Sequence, residues 1–285
     1  MTPRPCRSVL FVPASNARAV EKARGLDCDV AVLDLEDAVA PTAKVAAREA
    51  ACAAVLTGGF GPRLAVRINA HETEWGEDDS RALAEAGADC IIVPKVERAN
   101  QIKAVSRILG KHCAIWAMIE TPRALFNLEE IAQCEAPIEA LMPGVNDLAE
   151  ALGATLGEDR EPLKSWLAMI VAASRVSNRL AIDGVYNRID NLDGFAAECA
   201  QGAAFGFDGK SLIHPSQIGP ANAAYSPDAA AVAHARKVVE AFASPDAEAL
   251  GVVRIDDQMV ERLHLAAAKR LLARHDRLTG QRKGE

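Results

Sequence analysis

Polar side chains interrupt a series of short apolar runs, each near the C-terminal end of its run. Asp34, Glu36 and Asp37 fall in or just after VAVLDL (30–35), Arg67 and Asn69 in VRIN, and Lys95 in CIIVPKV (90–96). Glu120 closes AIWAMIE (114–120), Asn146 and Asp147 follow EALMPG (139–144), and Asp183 lies in LAIDG (180–184). Lys210 and His214 lie in GFDGKSLIHP. Packing alone would not choose such residues. If the run ends converge on one mouth, their carboxylates repel one another unless positive charge sits among them. Arg67 and Lys95 supply part of that charge, and a divalent cation is the expected remainder. Mg2+, or Mn2+ in its place, takes one or two protein carboxylates and leaves positions for water and substrate. Glu120 and Asp147 suit that role, with Arg67, Glu120 and Asn146 as substrate contacts and Asp34, Glu36, Asp37 and Lys95 in support. Taken singly, Glu120 and Asp147 read better as helix caps ahead of Pro122 and Leu148. The set as a whole carries the metal reading.

Other chemistries find no support. Gly209-Lys210-Ser211 has Ala204 where a phosphate-cradling Walker loop needs its first glycine. There is no Gly-x-Ser-x-Gly elbow, no Cys/His pairing and no His/His/carboxylate spacing for zinc. His214 reads as readily as a hydrogen-bonded loop residue as a functional one. The 7 cysteines form no Cys-x-x-Cys pair and read as reduced thiols of a cytoplasmic protein. A net charge of −7, without aromatic-basic clusters, argues against a nucleic-acid partner. The apolar run after MTPRPCR is too short for a signal peptide or a membrane span.

The elements that must position these residues follow from the same runs. SVLFV (8–12), VAVLDL, LAVRI (64–68), CIIVPKV, AIWAMIE, EALMPG, LAIDG and FGFDGK (205–210) alternate with Ala-rich helical stretches such as 42–56, 98–109, 162–178 and 192–203. Continuous apolar strands separated by helices imply a parallel sheet covered on both faces. Eight such units fit an α/β fold of the (β/α)8 TIM barrel type over residues 1–220, with chemistry at the C-terminal strand ends. A doubly wound open sheet is the rival, but no Gly-x-Gly-x-x-Gly follows the first strand. Residues 221–285 read as a small C-terminal helical extension: a helix near 228–243, a strand GVVRI and a last helix over 258–274. It is too small to fold alone and is expected to pack on the barrel mouth or on a neighbouring subunit.

RSVLFVPASNARAVEKA, VLDLEDAVAPTAK, VRINAHETEWGEDD, IIVPKVE, MIETPRAL, GFDGKSLIHPSQI and LGVVRIDDQMVE together resemble the HpcH/HpaI aldolase and citrate lyase family, in its citrate lyase β-subunit and malyl-CoA lyase branch. The resemblance runs nearly end to end. It implies a Mg2+-dependent barrel that makes or breaks a carbon–carbon bond beside an acyl thioester, commonly as a homo-oligomer (trimer or hexamer). By position it puts the metal carboxylates on Glu120 and Asp147 and the substrate arginine on Arg67. It puts coenzyme A contacts on Phe11, Lys22, Ile213 and His214, which makes GKSLIHP part of a CoA site. Glu261 in QMVE stands where the family carries a catalytic aspartate, over the active site of an adjacent subunit. Asn16 replaces a family arginine, and Arg188 in VYNRID replaces a usual aspartate. The expected activity is cleavage of a 3-hydroxyacyl-CoA such as malyl-, citramalyl- or citryl-CoA to an acyl-CoA and a 2-keto acid. A thioesterase on the same scaffold, with Glu261 activating water, and a citrate lyase β subunit working in a multi-subunit complex are the alternatives.

Overall fold

Eight parallel strands close into a barrel in sequence order in the computed structural model, which describes residues 6–243, 251–255 and 258–280. They are β1 Ser8–Pro13, β2 Val30–Asp34, β3 Arg63–Arg67, β4 Cys90–Val93, β5 Ala114–Ile119, β6 Ile138–Pro143, β7 Leu180–Asp183 and β8 Gly209–Leu212. Hydrogen bonding between β8 and β1 completes the ring, with Ser8 opposite Lys210. Helices α1 Ala17–Ala23, α2 Lys44–Thr57, α3 Gly76–Ala86, α4 Ala99–Leu109, α5 Pro122–Phe126 and α6 Leu128–Ala132 connect the first six strands. Helices α7 Val145–Leu152, α8 Lys164–Val176, α9 Leu192–Phe205 and α10 Ile218–Ala224 complete the set.

Alternation along the strands sorts side chains into two cores. Val9, Val30, Val32, Ala65, Ile92, Trp116, Met118, Ala140 and Ile182 form one buried cluster, the barrel interior. The residues between them in sequence, such as Leu10, Ala31, Leu33, Val66, Ile91, Ile115 and Leu141, belong to the larger cluster that also takes in the helices. This parity carries past the strands' apolar parts. Asp34, Arg67 and Glu120 stand two residues beyond Val32, Ala65 and Met118, on the interior side.

Asp183 and Lys210 have the opposite parity, and here the structure corrects the sequence reading. The eighth strand is Gly209–Leu212 rather than 205–210, because α9 runs on to Phe205 and ends at Gly206, whose φ of 99° suits glycine. Lys210 is therefore the second residue of β8, with Asp183 as its partner in register on β7. Its Nζ donates to Asp183 Oδ2 at 3.0 Å, to Glu198 Oε1 of α9 at 2.8 Å and to the Gly184 carbonyl at 2.6 Å. Arg160 Nη1 donates to Asp183 Oδ1 at 2.8 Å, and its other nitrogens reach Gln201 Oε1. Burial works against ionising Asp183, but the Lys210 and Arg160 charges outweigh it and hold the carboxyl below its ordinary range. Two cations and two carboxylates thus tie α9 and the loop before α8 to the barrel, away from the mouth. Asn69 is also structural: its backbone and side-chain N–H groups donate to the buried Asp79 of α3.

The described residues divide into two compact units, the first being Cys6–Tyr225. Helix α10 belongs to the barrel unit because Asn222 accepts from Ser8 Oγ and donates to the Asp27 carbonyl. The second unit, from Ser226 onward, holds helix α11 Ala229–Ala241, an antiparallel pair β9 Val252–Ile255 and β10 Gln258–Glu261, and helix α12 Arg262–Gly280. Its own core comprises Ala235, Val238, Phe242, Ile255, Val260 and Ala268. The last helix starts at Arg262 rather than 258 because residues 258–261 pair with β9. No helix among the described residues is long and apolar enough to cross a membrane.

Replacing Lys210 with methionine leaves Asp183 and Glu198 buried with one cation between them. Breaking one side of such a pair costs about 3–5 kcal/mol. Urea denaturation of K210M should show a loss of that size, while a change under about 1 kcal/mol would mean the carboxylates find other partners.

Candidate active site

A cavity of about 380 Å3 opens where the strands end, lined by Phe11, Asp34, Arg67, Met118, Asn146 and Asp147 among others. Arg67, at the end of β3, is its central cation. Nε and Nη2 donate to the two oxygens of Asp34 at 2.7 Å each, a bidentate pair between neighbouring strand ends. Nη1 lies 3.0 Å from Glu36 Oε2 and 3.4 Å from Asp37 Oδ2. The Phe11 ring packs 5.1 Å from the guanidinium carbon, which fixes the plane of the fork. Burial opposes the charge on Arg67, yet the bonds from Asp34 more than restore it. Asp34 also accepts backbone N–H bonds from Glu36 and Ala38, so one carboxylate orients both the arginine and the loop after β2. Lys44, from α2, donates to the Leu35 and Glu36 carbonyls of that loop.

Glu120 lies behind the cavity lining with 1% exposure. The backbone N–H of Lys95 donates to its Oε1 at 2.6 Å, while Oε2 is buried without a hydrogen-bond partner. Lys95 holds a left-handed backbone, φ 51°, which costs energy for a side chain other than glycine. A Cβ at Gly144 would overlap Glu120 Oε2, so only glycine leaves the carboxylate its place at the start of α7. The Lys95 ammonium stands 3.3 Å from Glu36, 3.5 Å from Asp147 and 3.7 Å from Asp37. Burial works to lower its pKa, and the three carboxylates outweigh that and raise it. Asp147, in the first turn of α7, is half-buried. Burial, followed by the Glu36 and Asp147 charges, pushes Glu120 up to about 8. Burial likewise pushes Glu36 to about 7, against the pull of Arg67 and Lys95.

Among the described residues no three carboxylates, imidazoles or thiols come together as a closed metal cage. The donor set that does exist, Glu120 and Asp147 with an unpartnered buried oxygen, suits a hard cation completed by water and substrate. Nucleophilic chemistry through sulfur has no support: burial raises the thiols of Cys6, Cys28, Cys90, Cys113 and Cys199 far from the reactive range.

The strand-end reading therefore assembles in large part. Asp34, Asp37, Arg67, Asn146, Asp147, Phe11 and Ile213 line the cavity, and Glu36, Lys95 and Glu120 adjoin it. Lys22 is exposed in the last turn of α1 and does not line it. His214 is exposed too, and its Nδ1 accepts from the Ser216 N–H to cap the turn 215–217. Glu261 is an exposed residue at the end of β10, and its backbone N–H donates to His264 Nδ1. Asp183 and Lys210 are absent from the lining, for the parity reason above. Asn187, Ser211, Met118 and Met142 also line the cavity, residues that the polar strand-end pattern does not single out. Parity would have found Met118, Met142 and Ser211, whereas the loop position of Asn187 gives no periodic signal.

Glu120 and Glu36 give the barrel a pH signature. Folded, each keeps a proton that the unfolded chain releases near 4.5. The folded state binds more protons across that window, so stability falls as pH rises from about 4.5 to about 8. In chelator, the melting temperature should drop over this range, and E120Q should flatten the drop. A melting temperature that rises with pH there would contradict the burial of these two groups.

Comparison with known proteins gives the geometry a family. The sequence pattern of the HpcH/HpaI aldolase/citrate lyase family matches residues 7–215. The chain is 40% identical over 279 residues to a (3S)-malyl-CoA thioesterase of Cereibacter sphaeroides, covering 98% of this chain and 97% of that one. It is 34% identical to the citrate lyase subunit beta of Escherichia coli, covering 97% and 95%. The solved structure of CitE from Mycobacterium tuberculosis, in complex with magnesium, acetoacetate and coenzyme A, superposes with a TM-score of 0.80 at 32% identity, covering 96% and 98%. A closed barrel with an arginine and paired carboxylates at its mouth, matched along most of its length, belongs to the HpcH/HpaI aldolase/citrate lyase family.

Proposed function

We propose that the chain is a Mg2+-dependent enzyme that cleaves a malyl-type 3-hydroxyacyl-CoA, and that the bond it breaks is the thioester. The observation that carries the metal-dependent reading is the Glu120 carboxylate, buried with one oxygen unpartnered beside Asp147 and Arg67. Thioester cleavage is supported by the higher identity to malyl-CoA thioesterases, 40% against 34% for the citrate lyase subunit. Glu261, where the lyase branch has aspartate, points the same way.

Glu120 and Asp147 would hold the ion, which supplies charge for the hydroxy acid's oxygens and polarises them. Arg67 offers Nη1 to the thioester carbonyl oxygen while Asp34 keeps the fork from turning. Negative charge gathers on that oxygen as water adds to the carbonyl carbon, and a fixed cation stabilises it there. The C–S bond then breaks, and the sulfur leaves with the electron pair and takes a proton, releasing free CoA and malate. Phe11, Met118, Met142 and Val185 add apolar surface to the cavity lining, which limits bulk water around the arginine. In this reading Glu261 takes the proton from water, donated to the site of a neighbouring copy in a trimer or hexamer.

Carbon–carbon cleavage is the second reading, supported by the likeness to the citrate lyase subunit. There the hydroxyl loses its proton, the bond between C2 and C3 breaks to leave a thioester enolate, and C2, the carbon beside the thioester carbonyl, is protonated, giving acetyl-CoA and glyoxylate.

Malyl-CoA incubated with the protein and Mg2+ should yield free thiol and malate. Glyoxylate with acetyl-CoA would shift the assignment to the lyase, and neither product would overturn both. E120A, D147A or excess chelator should reduce turnover to background, and full activity in chelator would remove the ion from the mechanism. E261Q should lose activity, and mixing it with R67A under subunit exchange should restore part of it. An E261Q protein as active as the parent would leave Glu261 as the residue ahead of α12.

A further inference from the structure

Beside the first cavity lies a second of about 300 Å3, bounded by the loop before α8 and the loop after β7. Val145, Val185 and Asn187 line both cavities, so the two share a wall. Asn187 is joined to Asn146 by reciprocal amide bonds, Nδ2 to Oδ1 at 2.7 and 3.3 Å, and both line the first cavity beside Asp147.

The charges around the second chamber differ sharply in how firmly they are held. Arg160 and Glu198 are buried and belong to the Lys210–Asp183 network, whose two cations and two carboxylates cancel. Arg188 is different. Its guanidinium lies 5.7 Å from the centre of the Tyr186 ring, and its ion-pair partner is Glu158 at 3.1 Å. Glu158 is 83% exposed, so it can turn into water at little cost. A planar fork stacked on a ring and loosely paired suits a group with two coplanar oxygens. An incoming anion that replaced Glu158 would leave the chamber's charge balance unchanged.

We infer that this second chamber is an oxyanion subsite, with Arg188 as its recognition residue and Glu158 as the internal anion that the ligand displaces. The inference rests on the hydroxyacyl-CoA reading above only for the two sources it considers: a carboxylate of the acyl group or a phosphate of CoA. Adjacency to the first cavity lets either arrive on the same substrate.

Calorimetric titration of the full chain with malate alone and with CoA alone tests this without turnover, so failure of the subsite and failure of the proposed reaction are separable. R188Q should weaken one of the two probes about tenfold, the loss of one charged recognition contact. E158Q should tighten the same probe several-fold, because the competing anion is gone. Weakening confined to malate identifies the acyl carboxylate, and weakening confined to CoA identifies a phosphate. Both side chains are exposed, so unchanged melting temperatures would confirm intact folding. The subsite is overturned if the parent binds neither probe, if R188Q binds both as the parent does, or if E158Q weakens binding, which would make the Glu158–Arg188 pair a latch between loops.

Discussion

The bidentate pair between Arg67 and Asp34 governs the mouth of this barrel. It joins adjacent strand ends and brings a guanidinium to 10% exposure of its side chain, where an unpaired charge would not persist. Because Asp34 also takes two backbone N–H groups, the loop carrying Glu36 and Asp37 is set by the bond that orients the arginine. Glu36 then answers Arg67 on one side and Lys95 on the other. Lys95 reaches Asp147, and its backbone N–H fixes Glu120. Charges from strands β2 to β6 are thus connected through a chain of contacts that starts at one arginine.

Strain and crowding accumulate around Glu120. A lysine with positive φ aims an N–H at one of its oxygens, and Gly144 yields the space that a Cβ would take. The other oxygen has no partner. Such local costs persist where the surrounding structure enforces them, and they gather at sites that bind or react. The cap ahead of Pro122 is Thr121, whose hydroxyl accepts the Ala124 N–H, so Glu120 is not a helix cap, and its unpartnered oxygen supports the metal role proposed for it. Asp147 is not a cap ahead of Leu148, because α7 begins at Val145 with Gly144 as its N-cap, and Asp147 stands inside the first turn.

A second set of charges does structural work with no part in the mouth. Lys210, Asp183, Arg160 and Glu198 are as buried as the catalytic candidates, but they face α9 and form a closed, neutral group. Buried charge by itself therefore does not mark a site. What separates the two groups is satisfaction: Lys210 has three acceptors, while Glu120 keeps an oxygen without a donor.

Sequence alone determined the eight-unit barrel, because continuous apolar runs separated by Ala-rich helices admit few other packings. It also determined that Asp34, Glu36, Arg67, Lys95, Glu120 and Asp147 stand near one another, since parallel strands bring their C-terminal ends to one rim. Motif resemblance gave the family, which the match over residues 7–215 bears out. Tertiary structure decided which strand-end residues face inward. Side chains alternate across a strand, and the register of β8, with Ser211 beside the interior Val9 of β1, turns Ser211 rather than Lys210 to the cavity. It decided, too, that Asn187 joins the cavity lining and Arg188 the neighbouring chamber, because a loop has no period from which direction can be read. Finally, the pairing of 258–261 with 252–255 fixed where the last helix begins, a long-range contact that local propensity does not contain.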